Sequence, residues 1–475
     1  MTISKFISNL DAFAWGPVML VFFVGIGFYL SVATGFLQFR KFGHAIKNTF
    51  GKIFGDQKAG KGEVTPLQAV TTALAATVGT GNIAGVTGAI FVGGPGAIFW
   101  MWISALVGMM TKYSEVVLAV KYRERNADGD WVGGPMYFIK NGLGKNWKWL
   151  GTLFCIFGAL AAFGTGNATQ VNSIVSSVTG VFTAYGAGIT AKSVMLFGTA
   201  VPVLSLVIGA VIAVIMALVI FGGIKRIGAV AEMLVPVMAI VYIISTLLVI
   251  GVNYRFVGPA LAMIVKGAFS AKAALGGAFG ITVMTSIQRG VGRGCFSNEA
   301  GLGTAPMAHA ATSETDPVKQ GFFGIFEVFM DTIVICTLTS LTVLTTYCAG
   351  GLDITWGTGG DGTSVASAIG SVLGNTTGSL IIALCLSLFA LTTALSWALY
   401  GARCFEYLFG VKWGNLYKLI YILFTFVSIT MSLQDVWNLA DAFNGFMAIP
   451  NLVGLLLLSP VVFKLTREYF AGLKK

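Results

Sequence analysis

The sequence predicts an all-α integral membrane protein, a bundle of eleven transmembrane helices. Two observations predict it. Of 475 residues, 56% are hydrophobic and only 10% are charged, against roughly 25% charged in soluble domains, so the solvent for this surface must be lipid. Apolar stretches also recur along the whole chain between charged or turn-rich breaks, each near the roughly 20 residues that a bilayer-spanning helix needs.

In chain order the spans are 15–36, 66–91, 96–121, 149–178, 196–221, 228–251, 273–296, 320–348, 377–403, 414–432 and 437–463. A short polar tail without a small-residue cleavage site precedes the first, which reads as an anchor and not a signal peptide. The loop 37–65 holds Arg40, Lys41, Lys47, Lys52, Lys58 and Lys61, whereas 349–376 holds Asp353 and Asp361 and no base. The positive-inside rule makes the first loop cytoplasmic. With the amino terminus outside, Lys121, Arg123, Arg125, Lys225, Arg226, Arg403, Lys412 and the tail 464–475 fall inside; Lys5, Lys192, Arg255, Lys266 and Lys272 fall outside. The net charge of +11 therefore reports topology in a cell (inner) membrane, with a cytoplasmic carboxyl terminus, and not nucleic-acid binding.

Setting aside the amino-terminal helix and its basic loop (1–64) leaves ten helices, which divide into 65–251 and 252–463 before a tail at 464–475. One glycine-broken span begins each half, Ala75–Gly88 and Ile281–Gly303. Interrupted helices in corresponding places point to a five-plus-five inverted repeat with a midplane binding site.

The run ALAATVGTGNIAGV puts Thr77, Gly79, Thr80, Gly81 and Asn82 inside an otherwise apolar helix. Glycine permits unwinding there, which frees carbonyls for a cation and amides for a carboxylate. Close helix packing through Gly81, Gly85 and Gly88 is the competing reading. In FGTGNATQVNSI, Asn167 and Gln170 share a helix face; Gln170 suits a zwitterion, or an interhelical hydrogen bond. In LFALTTALSWALYG, Thr393 and Trp397 stack one turn apart, as do Thr392 and Ser396. These hydroxyls are suitable ligands for a hard cation, or bond their own preceding turn, and Trp397 lies deep enough to wall a pocket. TSIQRGVGRGCFSNEAGLG places Arg289, Arg293 and Glu299 at the expected cytoplasmic end, as an inner gate or as a snorkelling anchor. Glu115, Glu232, Glu327, Asp331 and Glu406 are further acids near membrane depth, which keeps proton coupling open.

Six scattered cysteines, with no C-x-x-C spacing, and only His44 and His309 leave little from which to build a metal centre other than a sodium site. No phosphate-binding loop, zinc motif or nucleophile elbow is present, so no enzyme is expected. A channel would show a filter repeated among subunits, and a sensor an appended domain.

The stretch Gly93–Gly108, GGPGAIFWMWISALVG, resembles the signature of the sodium:alanine symporter family, the alanine or glycine:cation symporters. ATVGTGNIAGV, RGVGRGCFSNEAGLGTAP and LSWALYGARCFEYLFG also resemble that family's characteristic stretches. The resemblance implies a leucine-transporter-like fold with one added amino-terminal helix, and the protein is expected to work as a monomer. The resemblance also implies sodium, the co-transported ion, held by the carbonyls of Ala75 and Val78 and the hydroxyls of Thr392 and Thr393. Thr77, Thr80, Gly81, Asn82, Gln170, Met284 and Trp397, with Thr393 shared, would line the site of a small neutral amino acid. Alanine or glycine is the expected cargo, with glutamine, serine or D-alanine, and proton in place of sodium, as alternatives.

Overall fold

The structure, a computed structural model, describes residues 13–53, 59–184, 192–196, 198–270, 282–360, 362–431 and 433–473. Its long elements are α1 (Pro17–Ala33), α2 (Phe42–Ile53), the bent pair α3 (Pro66–Thr77) and α4 (Gly81–Gly93), α5 (Gly96–Lys121), α6 (Lys145–Thr183), α7 (Val203–Ile220) and α8 (Gly223–Val252). There follow α9 (Val257–Phe269), α10 (Val283–Asn298), α11 (Ala305–His309), α12 (Pro317–Cys348), α13 (Gly362–Leu373), α14 (Asn375–Phe409), α15 (Gly414–Ser428) and α16 (Leu433–Gly472). Among the described residues, seven helices are long and apolar enough to cross a membrane, or eight when α3 and α4 count as one span.

Burial separates the helices into inner and outer sets. The apolar window of α5 is 83% buried, that of α8 only 33%. On α8, Met233, Val237, Ile240, Ile244, Leu247 and Leu248 are exposed, a stripe at helical spacing that water would not tolerate and lipid does. Glycines let the inner helices approach closely. A Cβ at Gly27 on α1 would lie 2.9 Å from the Val107 carbonyl on α5, and one at Gly96 would overlap the Gly267 backbone of α9.

The basic loops meet at one end. Arg125 pairs with Glu63 at 2.7 Å, Lys140 with Glu124 at 2.8 Å, and Arg403 with Glu406 at 2.7 Å and Asp130 at 3.2 Å. Arg123 donates to the carbonyls of Ala310, Thr312 and Glu314, and Lys225 to that of Gly60. Glu63 feels burial, which raises its pKa, but hydrogen bonds from Trp131 and the Gly60 amide and the Arg125 charge bring the net value below the ordinary range. At the other end the Gly357 amide donates to the Phe91 carbonyl at the close of α4.

Several expected boundaries move. Residues 196 and 199–202, read as the start of a span, belong instead to an antiparallel pair of β1 (Ser193–Leu196) and β2 (Thr199–Pro202), and Pro202 then caps α7. The helices α9 and α13 arise in segments read as loops; in α9 one face, Ala260, Ile264 and Gly267, buries against α5. The first residues of the expected span 273–296 lie outside the described residues. Its remainder continues past 296, and the interruption falls at 299–304, where Glu299, Gly301 and Gly303 adopt φ of 56°, 93° and 79°.

Candidate functional site

The helix α3 begins with a reciprocal cap: Thr65 Oγ1 accepts from the Gln68 amide at 3.1 Å, and Gln68 Oε1 accepts from the Thr65 amide at 3.2 Å. That arrangement satisfies two amides at the helix start. The helix stops at Thr77 because Val78 takes ψ of 86°, and α4 leaves at an angle of 48°. In an unbroken helix the Gly79 amide would donate to the Ala75 carbonyl. Here it donates to Asn82 Oδ1 at 2.8 Å, and the Ala75 carbonyl accepts instead from Thr393 Oγ1 of α14 at 2.9 Å.

The close approach of α14 depends on Gly79, since a Cβ there would stand 2.5 Å from Thr393 Oγ1. Ser396 Oγ adds a contact one turn along, donating to the Thr72 carbonyl at 2.9 Å. Thr392 turns away: its hydroxyl donates to its own preceding turn, at Leu388 and Phe389, and faces Met238. Thr77 likewise bonds back to Ala73 and Leu74. The structure thus joins Ala75 and Thr393 directly, with Val78 at the break and Thr392 on the neighbouring stripe.

A second group forms around the wide turn Ala162–Ala168 of α6. Gln170 Nε2 donates to the Thr165 carbonyl at 2.9 Å, Asn167 Nδ2 to the Tyr421 carbonyl at 2.7 Å, and Asn444 Nδ2 to Thr165 Oγ1 at 2.9 Å. Trp397 packs on Gly166 so tightly that any side chain there would overlap its Cβ. Among the described residues, Gln170 Oε1, Asn167 Oδ1 and Asn444 Oδ1 of this group are buried without a hydrogen-bond partner, as are Trp397 Nε1, which lies toward Glu299, and, at the first break, Thr80 Oγ1. Buried polar atoms are nearly always bonded, so this cluster has hydrogen-bonding capacity to offer a polar guest.

The two interruptions touch. Gly81 packs on α10, where a Cβ would lie 3.5 Å from Phe296 and the Ser297 Cα. Asn82, expected to line the amino-acid site, instead sends Nδ2 to Asp331 Oδ1 at 2.6 Å. Met284 does not join either group. It is 51% exposed in the first turn of α10, and the 15 residues separating it from Glu299 correspond to about 22 Å of helix.

The charged stretch also divides. Arg293 pairs with Asp441 at 2.9 Å, and both Arg289 and Arg293 line a cavity of about 710 Å³ whose other walls include Gly85, Gly88, Ser173, Thr363 and Ser367. That puts the two arginines on the side where α4 ends, away from the basic loops. Glu299 is buried at the second interruption and accepts from Thr304 Oγ1 at 2.5 Å. The expected three-residue cytoplasmic gate is therefore not one cluster, because the helix turns at Glu299 and separates the acid from both arginines.

Sequence reasoning singled out Glu115 and Glu327 as acids near membrane depth but missed Lys112 and the buried network that joins them beside that turn. Lys112 Nζ lies 3.1 Å from Glu327 Oε1, Glu327 Oε2 lies 3.2 Å from His309 Nε2, and Glu115 Oε1 accepts from the Gly301 amide and from Asn451. The signal available was a lysine inside an apolar helix, since such charges are retained only with partners.

Comparison with known proteins agrees with this architecture. The model of the sodium:alanine symporter family matches residues 1–475. The chain is 43% identical over 474 residues to the sodium/alanine symporter AgcS of Methanococcus maripaludis, covering 99% of this chain and 98% of that protein. It is 35% identical over 458 residues to the amino-acid carrier protein AlsT of Bacillus subtilis, covering 96% and 90%. The crystal structure of MhsT in complex with L-phenylalanine superposes with a TM-score of 0.62 at 16% identity, over 84% of this chain and 90% of that one, a likeness of fold. By sequence over its whole length, the chain belongs to the sodium:alanine symporter family, a family of cation-coupled amino-acid symporters.

Proposed function

We propose that this protein carries alanine or glycine into the cell together with sodium, by alternating access. The observation that carries the reading is the exchange at the first break, where the Ala75 carbonyl leaves its helical partner and faces the Thr393 hydroxyl. An interrupted helix with freed carbonyls opposite a hydroxyl is a setting for a small hard cation. The carbonyls of Ala75 and Val78 with Thr393, and Thr392 after a rotamer change, would hold sodium. Thr77, Thr80, Gly81, Gln170 and Trp397 would surround the amino acid, whose ammonium and carboxylate answer the unpartnered Gln170 Oε1, Trp397 Nε1 and Thr80 Oγ1.

Size is the filter: Trp397 wedged on Gly166 leaves little room, and each excess methylene in a packed site costs on the order of 1–3 kcal/mol. One inward sodium gains about 2.3 kcal/mol per 100 mV, and a tenfold gradient about 1.4 kcal/mol more. Their sum corresponds to roughly several-hundredfold accumulation of a neutral substrate.

Eleven spans, with five-helix repeats at 65–251 and 252–463 after the segment 1–64 and before the tail 464–475, complete the reading. The basic end faces the cytoplasm and the amino terminus lies outside. The cavity beside Gly85 and Gly88 then opens outward, as in the state that admits substrate. The test is radiolabelled alanine uptake into proteoliposomes under an inward sodium gradient, with potassium-only and proton-gradient controls. Sodium-dependent uptake that glycine competes for, and that Thr393→Ala weakens, is expected. Uptake driven equally by protons without sodium overturns the coupling ion, and no alanine uptake under any gradient overturns the substrate.

A further inference from the structure

The last turn of α1 and the residues after it carry an exposed aromatic surface with a basic rim, apart from the candidate site. Phe28, Val32, Phe36 and Phe39 are each 41–54% exposed. Their rings lie together: the centroids of Phe28 and Phe36 are 6.5 Å apart, and those of Phe36 and Phe39 6.2 Å. Phe36 adopts φ of 55°, a left-handed conformation that bulky side chains rarely take. Its amide donates to the Ser31 carbonyl at 2.6 Å, which ends α1 and turns the chain toward α2. Strained backbone of this kind persists only where its surroundings hold it, and an aromatic shelf this exposed suits acyl chains and not water.

The rim comes from three elements. Arg40 and Lys41 directly follow the shelf, and Lys47 lies further along α2. Arg40 donates to the Thr34 carbonyl at 3.1 Å, which holds its guanidinium at the end of α1. On α16, Phe463, Arg467 and Phe470 share one stripe at i, i+4 and i+7. Both ends of that stripe rest on this corner, Phe463 against Tyr29 at 6.0 Å and Phe470 beneath Lys41 Nζ at 5.1 Å, and the Tyr469 hydroxyl lies 3.0 Å from His44 Nε2 of α2. Arg40, Lys41, Lys47 and Arg467 are exposed, and among the described residues none of them has an ion-pair partner. Glu468, beside Arg467 in sequence, pairs instead with Lys464 at 3.9 Å. The field here is positive: burial, and then the charges of Lys41 and Lys47, hold the His44 imidazole below its ordinary pKa.

From this juxtaposition we infer that the corner between α1, α2 and α16 binds an anionic phospholipid of the phosphatidylglycerol type, from the bilayer leaflet on the side of the basic loops. Its acyl chains lie along Phe28, Val32, Phe36 and Phe39, and its phosphate sits among Arg40, Lys41 and Arg467. Basic clusters just beyond a membrane helix recruit acidic headgroups, and a guanidinium matches the paired oxygens of a phosphodiester. A zwitterionic lipid brings an ammonium that the same cations repel. The bound lipid clamps the first long helix to the last.

The test uses the full-length protein, purified in detergent, with phosphatidylglycerol or phosphatidylcholine of matched acyl chains added at equal concentration. Native mass spectrometry is expected to show phosphatidylglycerol retained on wild type and phosphatidylcholine lost, and phosphatidylglycerol alone is expected to raise the Tm. Arg40→Gln, Lys41→Gln and Arg467→Gln are each expected to weaken phosphatidylglycerol binding about fivefold. Lys412→Gln, which removes an exposed cation just before α15, is expected to leave it unchanged. Phe39→Ala is expected to weaken binding while keeping the headgroup preference. Equal retention of the two lipids overturns the inference. So does Lys412→Gln weakening binding as much as the rim substitutions, because binding would then follow the overall charge of that end and no built site. Inorganic phosphate or glycerol phosphate protecting as well as the lipid also overturns it, since the corner would then hold a free anion.

Discussion

Substituting Gly79 by alanine tests the first break most directly. The new Cβ would stand 2.5 Å from Thr393 Oγ1, but 3.5 Å and 3.6 Å from Thr393 Cβ and Cγ2, so the hydroxyl alone is in the way. Gly79 is not among the glycines with positive φ, so alanine brings no backbone strain of that kind. The hydroxyl must rotate away from the Ala75 carbonyl, which forfeits a hydrogen bond worth about 0.5–1.5 kcal/mol and the oxygen offered to a cation. The expected result is folded protein whose half-saturating sodium concentration rises about tenfold, the equivalent of about 1.4 kcal/mol. Sodium titration of alanine uptake in proteoliposomes reads this. The decisive arm is Gly79→Ala combined with Thr393→Ala: with no hydroxyl left to displace, the double variant should be no worse than Thr393→Ala alone, a strongly non-additive cycle. Strict additivity, or an unchanged sodium requirement in Gly79→Ala, would refute the reasoning.

Three further outcomes follow from other contacts. Lys112→Met removes the lysine partner of Glu327 and leaves it buried with His309, so it should cost roughly 3–5 kcal/mol of stability, and adding Glu327→Gln should restore part of it; thermal unfolding in detergent checks both. Gly166→Ala pushes a methyl into Trp397 Cβ and the Tyr421 hydroxyl, and should destabilise by about 1–3 kcal/mol while lowering alanine uptake more than glycine uptake. Glu63 holds a depressed pKa through Trp131, Gly60 and Arg125, so its stabilisation of the 59–64 loop is present above the ordinary carboxylate value of 4.5 and lost as pH falls below it; proteolysis of that loop should therefore rise at acid pH in wild type and be pH-independent in Glu63→Gln.

How far the site could be read in advance varied by residue. The break at Val78–Thr80 was legible because two glycines and two hydroxyls interrupt an apolar run, and no regular helix favours that composition. Thr393 was legible through its one-turn spacing to Trp397, although nothing in the run LTTALSW says which threonine faces α3; helix rotation chose Thr393 and turned Thr392 toward Met238. The second break lies at the far end of the expected stretch Ile281–Gly303, at Glu299–Gly303, and Gly290 earlier in that stretch is a packing position, where a Cβ would overlap the Ala97 backbone. Met284 was assigned through the resemblance alone, and the structure sets it half-exposed in the first turn of α10.

The sequence by itself determined the membrane environment, the positions of most long helices and the family, because hydropathy, charge asymmetry and glycine-rich motifs are local properties that survive without knowledge of neighbours. Only the tertiary structure decided who meets whom. Asp331 and Asn82 are separated by 249 residues, as Lys112 and Glu327 are by 215, and no periodicity within either helix encodes such a contact. A buried charge in lipid must find its partner in space, so the pairing is a property of the packed bundle and not of any one segment.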